Sequence, residues 1–381
     1  MKIFVEGTPL FLQRTGVGQY TKNLMDVLLK LDERNHYTIF GFLFIGKRFT
    51  NKPIPEGPKL SYKLVRYLPS KIFNAVVRRL FLPPLDLLAL SKPDIFFFPN
   101  FVRYPLIFGA KSIVVIYDLS YIVQAQFSAS PNRKYLTRYV PDSVKKADHV
   151  ITISQNSKKE IMEHYGVPSQ KITIVTPAIN HQIFFPRPDK EVEAIRQKYD
   201  ISKPYILYAG TLEPRKNIIG ILDAFAELDA GLLQTHALVL AGGKGWLDHE
   251  IHAKIKELSE LDIIVTGYLP DEDLPAIYSG ASLFVYPSFY EGFGIPPLEA
   301  MACGVPVITS DNSSLPEVVG DAGIMIDAHS TPALTRSMQK VLTDPGLVKQ
   351  LRGRGLKQAK RFNWEQSGKI LLEVINTIGR A

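Results

Sequence analysis

The sequence predicts an α/β protein of two doubly wound, parallel-sheet domains facing a cleft. Three observations carry that prediction. Short apolar runs alternate with helix-period patterns along the whole chain. The 381 residues exceed what one hydrophobic core usually serves. Between Pro177 and Pro188 the alternation breaks over a stretch with three prolines and then restarts.

In the first half, strands are expected at Lys2–Glu6, Tyr37–Leu43, Ile95–Phe98, Ser112–Ile116, Val150–Ile153 and Ile172–Val175, each a short apolar run. Helical periodicity covers Tyr20–Leu31, Asn132–Lys146 and Asn156–His164. The domain boundary is placed at 184/185, inside the proline-rich stretch. The second half repeats the alternation, with strands at Tyr205–Ala209, Ala237–Leu240, Ile263–Val265, Leu283–Tyr286, Val307–Thr309 and Gly323–Ile326. Its helices are expected at Ile218–Ala230, Leu247–Leu258, Leu274–Tyr278, Pro297–Cys303 and Thr331–Leu342, and an amphipathic helix covers Asn363–Ile378. In such sheets ligands bind beyond the C-terminal ends of strands, so the chemistry is expected in the loops that follow them.

Composition narrows the class. Cys303 is the only cysteine, which rules out a disulfide within the chain and fits a reducing compartment. Met1-Lys-Ile-Phe-Val-Glu-Gly does not read as a signal peptide, and no apolar run reaches the ~18 residues of a membrane span. A cytoplasmic protein is expected, with no nucleic acid partner. Charge is uneven: residues 1–180 carry 25 Lys+Arg against 12 Asp+Glu, and the remainder carries 20 against 25. Nine basic residues and one acid fall within 47–79, followed by the apolar run Leu80–Leu90. That pairing suggests contact with an anionic membrane surface, which would make the protein peripheral on the inner face; a solvated loop and a core helix are the competing reading.

The densest chemical signal is Ser288-Phe-Tyr-Glu-Gly-Phe-Gly-Ile-Pro-Pro-Leu-Glu299. An expected strand, a loop with Gly292, Phe293 and Gly294, and a Pro-Pro helix start follow one another. Backbone N–H groups and a helix dipole would thus point at one place, with Glu291 on the loop and Glu299 a turn into the helix. Sugar plus phosphate is the ligand class that suits carboxylates beside an anion site. A second loop, Ala209-Gly-Thr-Leu-Glu-Pro-Arg-Lys-Asn217, carries Gly210 and sets Arg215 and Lys216 at an expected helix N-terminus, where cations are unfavourable unless an anion joins them. Two solvated surface charges are the alternative. A third, Thr15-Gly-Val-Gly-Gln-Tyr20, offers Gly16 and Gly18 for close approach to an oxyanion, or simply a tight turn; the missing third glycine makes it a poor dinucleotide fingerprint. In Val265-Thr-Gly-Tyr-Leu-Pro-Asp-Glu-Asp273 the acids are read as helix caps in preference to metal ligands. Neither a nucleophile elbow nor a histidine ligand pair is visible.

Together TGVGQYTKNL, HVITISQNSKKEI, GTLEPRKN, VTGYLPDEDL, PSFYEGFGIPPLEAMACGVPVI and SSLPEVVG resemble a family 4 glycosyltransferase of the GT-B fold, with two Rossmann-like domains, in the branch of bacterial mannosyltransferases of polysaccharide assembly. The resemblance covers nearly the whole chain. It implies an N-terminal acceptor-binding domain over 1–184, onto which 363–381 packs back, and a nucleotide-sugar domain over 185–362. It implies that Glu299 binds ribose hydroxyls, that Arg215 and Lys216 hold the diphosphate, and that Glu291 with the backbone of Gly292, Phe293 and Gly294 holds the transferred sugar. Gly16 and its neighbours would close on the phosphates, Leu315 would lie near them, and Gly267 and Tyr268 would lie near the base. Transfer would be retaining and need neither metal nor other cofactor. The donor would be GDP-mannose or UDP-glucose, and the acceptor a glycan or lipid-diphosphate-linked glycan of the cell surface. One departure stands out. The family's common His-Asp is Tyr117-Asp118 here, and tyrosine can donate a hydrogen bond beside the sugar but carries no positive charge near neutral pH. A nucleotide-sugar epimerase and a catalytically weak transferase-like binding protein are the alternatives.

Overall fold

The structure, a computed structural model, describes residues 1–11, 16–44, 53–68, 83–127, 130–243, 245 and 249–380. Thr15, most of the basic run (47–52 and 69–79), the first residues of the apolar run (80–82) and Leu247 with Asp248 lie outside the described residues. The chain forms two compact units, residues 1–177 with 364–381, and residues 178–363. The first crossing therefore falls at Pro177/Ala178, where the proline-rich stretch begins, ahead of the expected 184/185 within it.

The N-terminal unit holds β1 (Lys2–Glu6), β2 (His36–Phe44), β3 (Leu60–Leu68), β4 (Ile95–Phe98), β5 (Lys111–Val115), β6 (His149–Thr152) and β7 (Ile172–Ile174). They make one parallel sheet in the order β3-β2-β1-β4-β5-β6-β7. Strand β3 is absent from the sequence reading. Its Lys63 sits among Leu60, Tyr62 and Leu64, so the segment reads as part of a charge run. Position explains the pattern: β3 is the sheet's outer strand, and charge along such an edge discourages further pairing. The core on one face is a cluster of aromatic and aliphatic side chains including Phe4, Phe40, Phe96, Phe98, Val114 and Val150. Helix Trp364–Ile378 completes this unit by packing on helix Gly16–Leu31. Gly368 makes that approach possible, since a Cβ there would lie within 2.4 Å of Val27 Cγ1.

The second unit holds β8 (Tyr205–Ala209), β9 (Ala237–Ala241), β10 (Ile263–Gly267), β11 (Leu283–Tyr286), β12 (Val307–Ser310) and β13 (Ile324–Ile326), all parallel in the order β10-β9-β8-β11-β12-β13. The central strands β8, β9, β11 and β12 are buried along their whole length, which is why they appear in the sequence as unbroken apolar runs. Helices Asp189–Lys198, Leu315–Val319 and Pro345–Ala359 add to those expected, and the pattern expected over Ile218–Ala230 is two helices, Ile218–Ala226 and Ala230–Thr235. Strand order reverses between β8 and β11. The loops leaving those two strands lie at the sheet's C-terminal edge, the usual ligand position in such folds. They are the two loops that carry Arg215 and Lys216, and Glu291.

Candidate active site

Loop 210–217 leaves β8 and turns through Pro214–Lys216, a single tight helical turn ending at Asn217 in the left-handed region (φ 56°). That turn folds Lys216 inward. Its Nζ donates to Tyr286 Oη at 2.6 Å and to Glu291 Oε1 at 2.5 Å, and it lies 5.0 Å from the Tyr286 ring centroid. Tyr286 ends β11, and its ring stacks on Tyr208 of β8, so the two central strands fix the ammonium's floor. Arg215 reaches across the same gap. Its Nη1 donates to the Tyr290 carbonyl at 2.5 Å and stands 3.2 Å from Glu291 Oε2, while Nη2 donates to Glu213 Oε1 at 2.6 Å. Between the loops, the Phe289 N–H donates to the Arg215 carbonyl at 2.9 Å.

Two cations and two carboxylates thus share one buried cluster. Lys216, Glu291 and Glu213 are 8%, 7% and 2% exposed. Burial alone would raise the Glu291 carboxyl, but Lys216 and Arg215 outweigh it and hold the group at about 2. Burial pushes Lys216 down, against the pull of Glu291, and pushes Glu213 up, against the pull of Arg215. The cation pair expected to require an external dianion already has internal anions. Glu213 is the residue that sequence reasoning missed. The signal was present: it stands two places before Arg215, in the same loop.

The loop after β11 is braced from beneath. The Glu291 N–H donates to Ser313 Oγ at 2.9 Å, and the fully buried Ser314 hydroxyl is within donating distance of the Glu291 carbonyl (2.8 Å) and the Phe293 carbonyl (2.6 Å). Gly294 adopts φ 120° and a Cβ there would meet Leu315 Cδ2 at 2.8 Å, so glycine is required on both counts. Leu315 is fully buried and packs beneath this loop. Helix Ile295–Ala302 follows, with Glu299 one turn in. Glu299 belongs to a separate hydrogen-bond system: its Oε2 accepts from Tyr278 Oη at 2.9 Å, and burial pushes its carboxyl up to about 7.

Gly210 and the loop after β9 form a second wall. The Gly210 N–H donates to the Ala241 carbonyl at 2.8 Å and the Leu212 N–H to the Gly243 carbonyl at 3.1 Å. Gly267 ends β10 at φ 72°, and Tyr268 beyond it is 71% exposed. The acids that follow do not cap with their side chains as expected. Asp273 occupies the cap position of helix Leu274–Gly280, and its carbonyl accepts from the Ile277 N–H. Its carboxylate instead binds Lys198 Nζ at 2.6 Å and Tyr199 Oη at 2.5 Å, because an ammonium outcompetes a backbone N–H as a donor. Among the described residues, no three His, Cys, Asp or Glu side chains converge as metal ligands.

In the N-terminal unit, Gly16 and Gly18 lie in the first turn of helix Gly16–Leu31, and among the described residues a Cβ on Gly16 would meet nothing within 4 Å. Tyr117 departs from expectation. Its hydroxyl donates to the Pro99 carbonyl at 2.8 Å, and its ring packs against Tyr20 and Phe101 at 5.3 and 5.4 Å between centroids. At 8% exposure the side chain is a core element of its own unit, and burial pushes its pKa well above the usual phenol range. Asp118 Oδ1 accepts from the Ser120 N–H at 2.9 Å and anchors helix Ser120–Val123. Glu6 ends β1 buried, and that burial raises its carboxyl to about 7.

With this geometry, comparison with known proteins is decisive. Residues 15–183 match the family model for Glycosyltransferase Family 4, and 191–358 match that for Glycosyl transferases group 1. O-antigen chain mannosyltransferase B of Escherichia coli is 34% identical over 372 residues, 96% of this chain and 97% of that protein. The chain belongs to glycosyltransferase family 4. Solved structures agree on the architecture. Sucrose-phosphate synthase from Thermosynechococcus elongatus matches with TM-score 0.75 at 19% identity over 99% of this chain and 98% of that one. Anabaena HepE in complex with UDP and glucose matches with TM-score 0.72 at 16% identity over 99% and 100%. The fold of this family 4 glycosyltransferase is therefore GT-B, and the cluster around Glu291 lies at the C-terminal edge of its second sheet.

Proposed function

We propose that this glycosyltransferase moves mannose from GDP-mannose to a lipid-linked glycan in cell-surface polysaccharide synthesis, with retention of anomeric configuration and without a metal. The observation that carries the reading is the buried Lys216–Glu291 pair at the strand-order reversal. The mannosyltransferase name of the E. coli relative supports the sugar, and the UDP held by HepE supports a nucleotide donor. UDP-glucose is the competing donor.

In this mechanism the acceptor hydroxyl attacks from the face that the diphosphate leaves, and a departing phosphate oxygen takes its proton. Glu291, ionised at neutral pH, accepts hydrogen bonds from the sugar hydroxyls. Lys216 spends two N–H bonds on Tyr286 and Glu291, and the third meets the diphosphate as charge develops on it. Arg215, oriented by Glu213 and Glu291, adds a second cation. Gly292, Phe293 and Gly294 present backbone to the sugar, and Tyr268 and Gly267 flank the base. Tyr117 takes a packing role within its own unit. Incubation with GDP-mannose and with UDP-glucose, each with a lipid-linked glycan, tests this. Mannose transfer with an α-linked product from the α-linked donor is expected; glucose transfer or an inverted product would refute it.

Glu299 supplies a pH test. A carboxylate that accepts from two ribose hydroxyls must be ionised, yet the unliganded group titrates at about 7. Nucleotide binding is therefore expected to release a proton below pH 7, and affinity to fall by up to about tenfold per pH unit in that range. Calorimetry in two buffers of different ionisation enthalpy measures the proton, and Glu299→Gln is expected to abolish its release. Stability of the unliganded protein should show the opposite trend. A raised carboxyl contributes fully below its unfolded value of about 4.5, and the contribution is lost as pH rises through about 7.

A further inference from the structure

The sheet of the N-terminal unit has a strand-order reversal of its own. Strand β1 pairs with β2 on one side and with β4 on the other. Val5 stands level with Phe97, so the chain leaves β1 and β4 side by side at the sheet's C-terminal edge. Ligands bind at such reversals. The chemistry placed around Glu291 leaves this edge unused.

Glu6 is the last residue of β1 and is 6% exposed. Its Oε1 accepts from the Thr8 N–H at 3.0 Å. Among the described residues, no Lys, Arg or His offsets the charge of the carboxylate, and burial raises its pKa. The Thr8 hydroxyl is close enough to pull that pKa back down. It is nonetheless buried and meets hydrogen-bond geometry with no described residue. Buried carboxylates are ordinarily paired and buried hydroxyls ordinarily bonded. Two such deficits, two residues apart, mark a polar site that the described residues leave incomplete. Capping of the short helix Thr8–Phe11 accounts for one carboxylate oxygen, but not for the other or for the hydroxyl.

The loop after β4 is strained. Phe101 sits at φ 56°, a region that a bulky residue rarely adopts. Its N–H donates to the Val115 carbonyl at 2.9 Å, and its ring packs against Tyr117 and Tyr121 at 5.4 and 6.4 Å between centroids. The Tyr117 hydroxyl holds the Pro99 carbonyl just before it. Strain of this kind persists only where the surroundings impose it, and it clusters at ligand sites. Packing by Tyr117 thus shapes the second loop of the same edge.

We propose that Glu6 and Thr8 bind neighbouring hydroxyl groups of the acceptor glycan at this edge. The inference rests on the transferase reading, but not on which sugar is transferred. Chemistry selects the ligand. A carboxylate with no offsetting cation repels phosphate and accepts from hydroxyls. The threonine hydroxyl both donates and accepts, as a sugar hydroxyl does. A metal is disfavoured, because among the described residues no three His, Cys, Asp or Glu side chains converge.

NMR saturation transfer from the protein to an α-linked mannotriose, titrated without donor, tests it. The parent is expected to bind the trisaccharide. Glu6→Gln keeps the shape and the bond to the Thr8 N–H, and should weaken binding at least about tenfold through loss of charge-assisted bonds. Thr8→Val should weaken it about threefold or more. The same variant should leave the urea midpoint unchanged or raised, because it removes a buried hydroxyl that has no partner among the described residues. A structural role for Thr8 would lower that midpoint. Affinity for GDP should be equal in all three proteins. The proposal is overturned if the parent shows no transfer of saturation to mannotriose, or if both variants bind it as the parent does. It is also overturned if Thr8→Val binds normally and Glu6→Gln loses binding only together with folded stability. Failure to move mannose from GDP-mannose, with these binding losses intact, would refute the proposed function and leave this site standing.

Discussion

Glu291→Ala is expected to lower unfolding free energy by about 3–5 kcal/mol and to reduce transfer at least tenfold, which is ~1.4 kcal/mol in the barrier. The stability loss follows from burial. Removing the carboxylate leaves the Lys216 ammonium with Tyr286 alone in a site that is 8% exposed, and takes one of two anions from Arg215. Lys216→Ala should behave similarly, because it strands Glu291. The double variant Lys216→Met, Glu291→Leu removes both charges, and Arg215 keeps Glu213. Its stability should recover most of the loss while transfer stays low, and that divergence distinguishes a chemical role from a structural one. Urea unfolding and donor turnover on the same three proteins measure both. Recovery of turnover in the double variant would remove Lys216 and Glu291 from the mechanism. Acid unfolding should report the same pair. Because Glu291 is held at about 2, its contribution is present above its unfolded value of about 4.5 and is lost as pH falls towards 2.

Gly242→Ala should cost nearly as much at a residue with no side chain and no charge. A Cβ at 242 would stand 1.8 Å from the Gly210 carbonyl oxygen, which is backbone and cannot swing aside. The loops after β8 and β9 would have to part, breaking the Gly210-to-Ala241 and Leu212-to-Gly243 hydrogen bonds. Two lost bonds and a displaced loop amount to about 2–3 kcal/mol of stability. Because the loop after β8 also carries Arg215 and Lys216, nucleotide affinity should fall at least about tenfold. Gly243→Ala is the matched control, since among the described residues its Cβ would meet only Tyr268 Cβ at 3.9 Å. If the two alanine variants bind nucleotide equally, the paired loops do not shape the site.

Much of this architecture is legible in the sequence because its strands are buried on both faces. Leu283–Tyr286 and Tyr205–Ala209 show as plain apolar runs, with the bounds later seen. Strand β3 is hidden because an edge strand carries charge where a central strand carries valine. At the site, local sequence locates both loops but not their meeting. Lys216 and Glu291 lie 75 residues apart, and they touch only because β8 and β11 are sheet neighbours. The same gap explains the missed part of Glu213, whose ion pair with Arg215 becomes a four-charge cluster only when Glu291 arrives. Tyr117 shows a different limit. Its position after β5 is readable, but the direction of its hydroxyl depends on the Pro99 carbonyl, eighteen residues away on another strand's end.

Helix Trp364–Ile378 has a consequence for how the molecule is made. Trp364 meets Tyr20 at 5.8 Å between ring centroids, and Ser367 Oγ donates to the Thr176 carbonyl at 2.7 Å, so the first unit is finished only after the whole of the second has been synthesised. Residues 178–363 must leave the ribosome in between, a wait of roughly 10–40 s at about 5–20 residues per second. Throughout that interval Val27 and Leu31 lack their cover. A nascent chain that stalls before Trp364 therefore leaves the seam along helix Gly16–Leu31 uncovered.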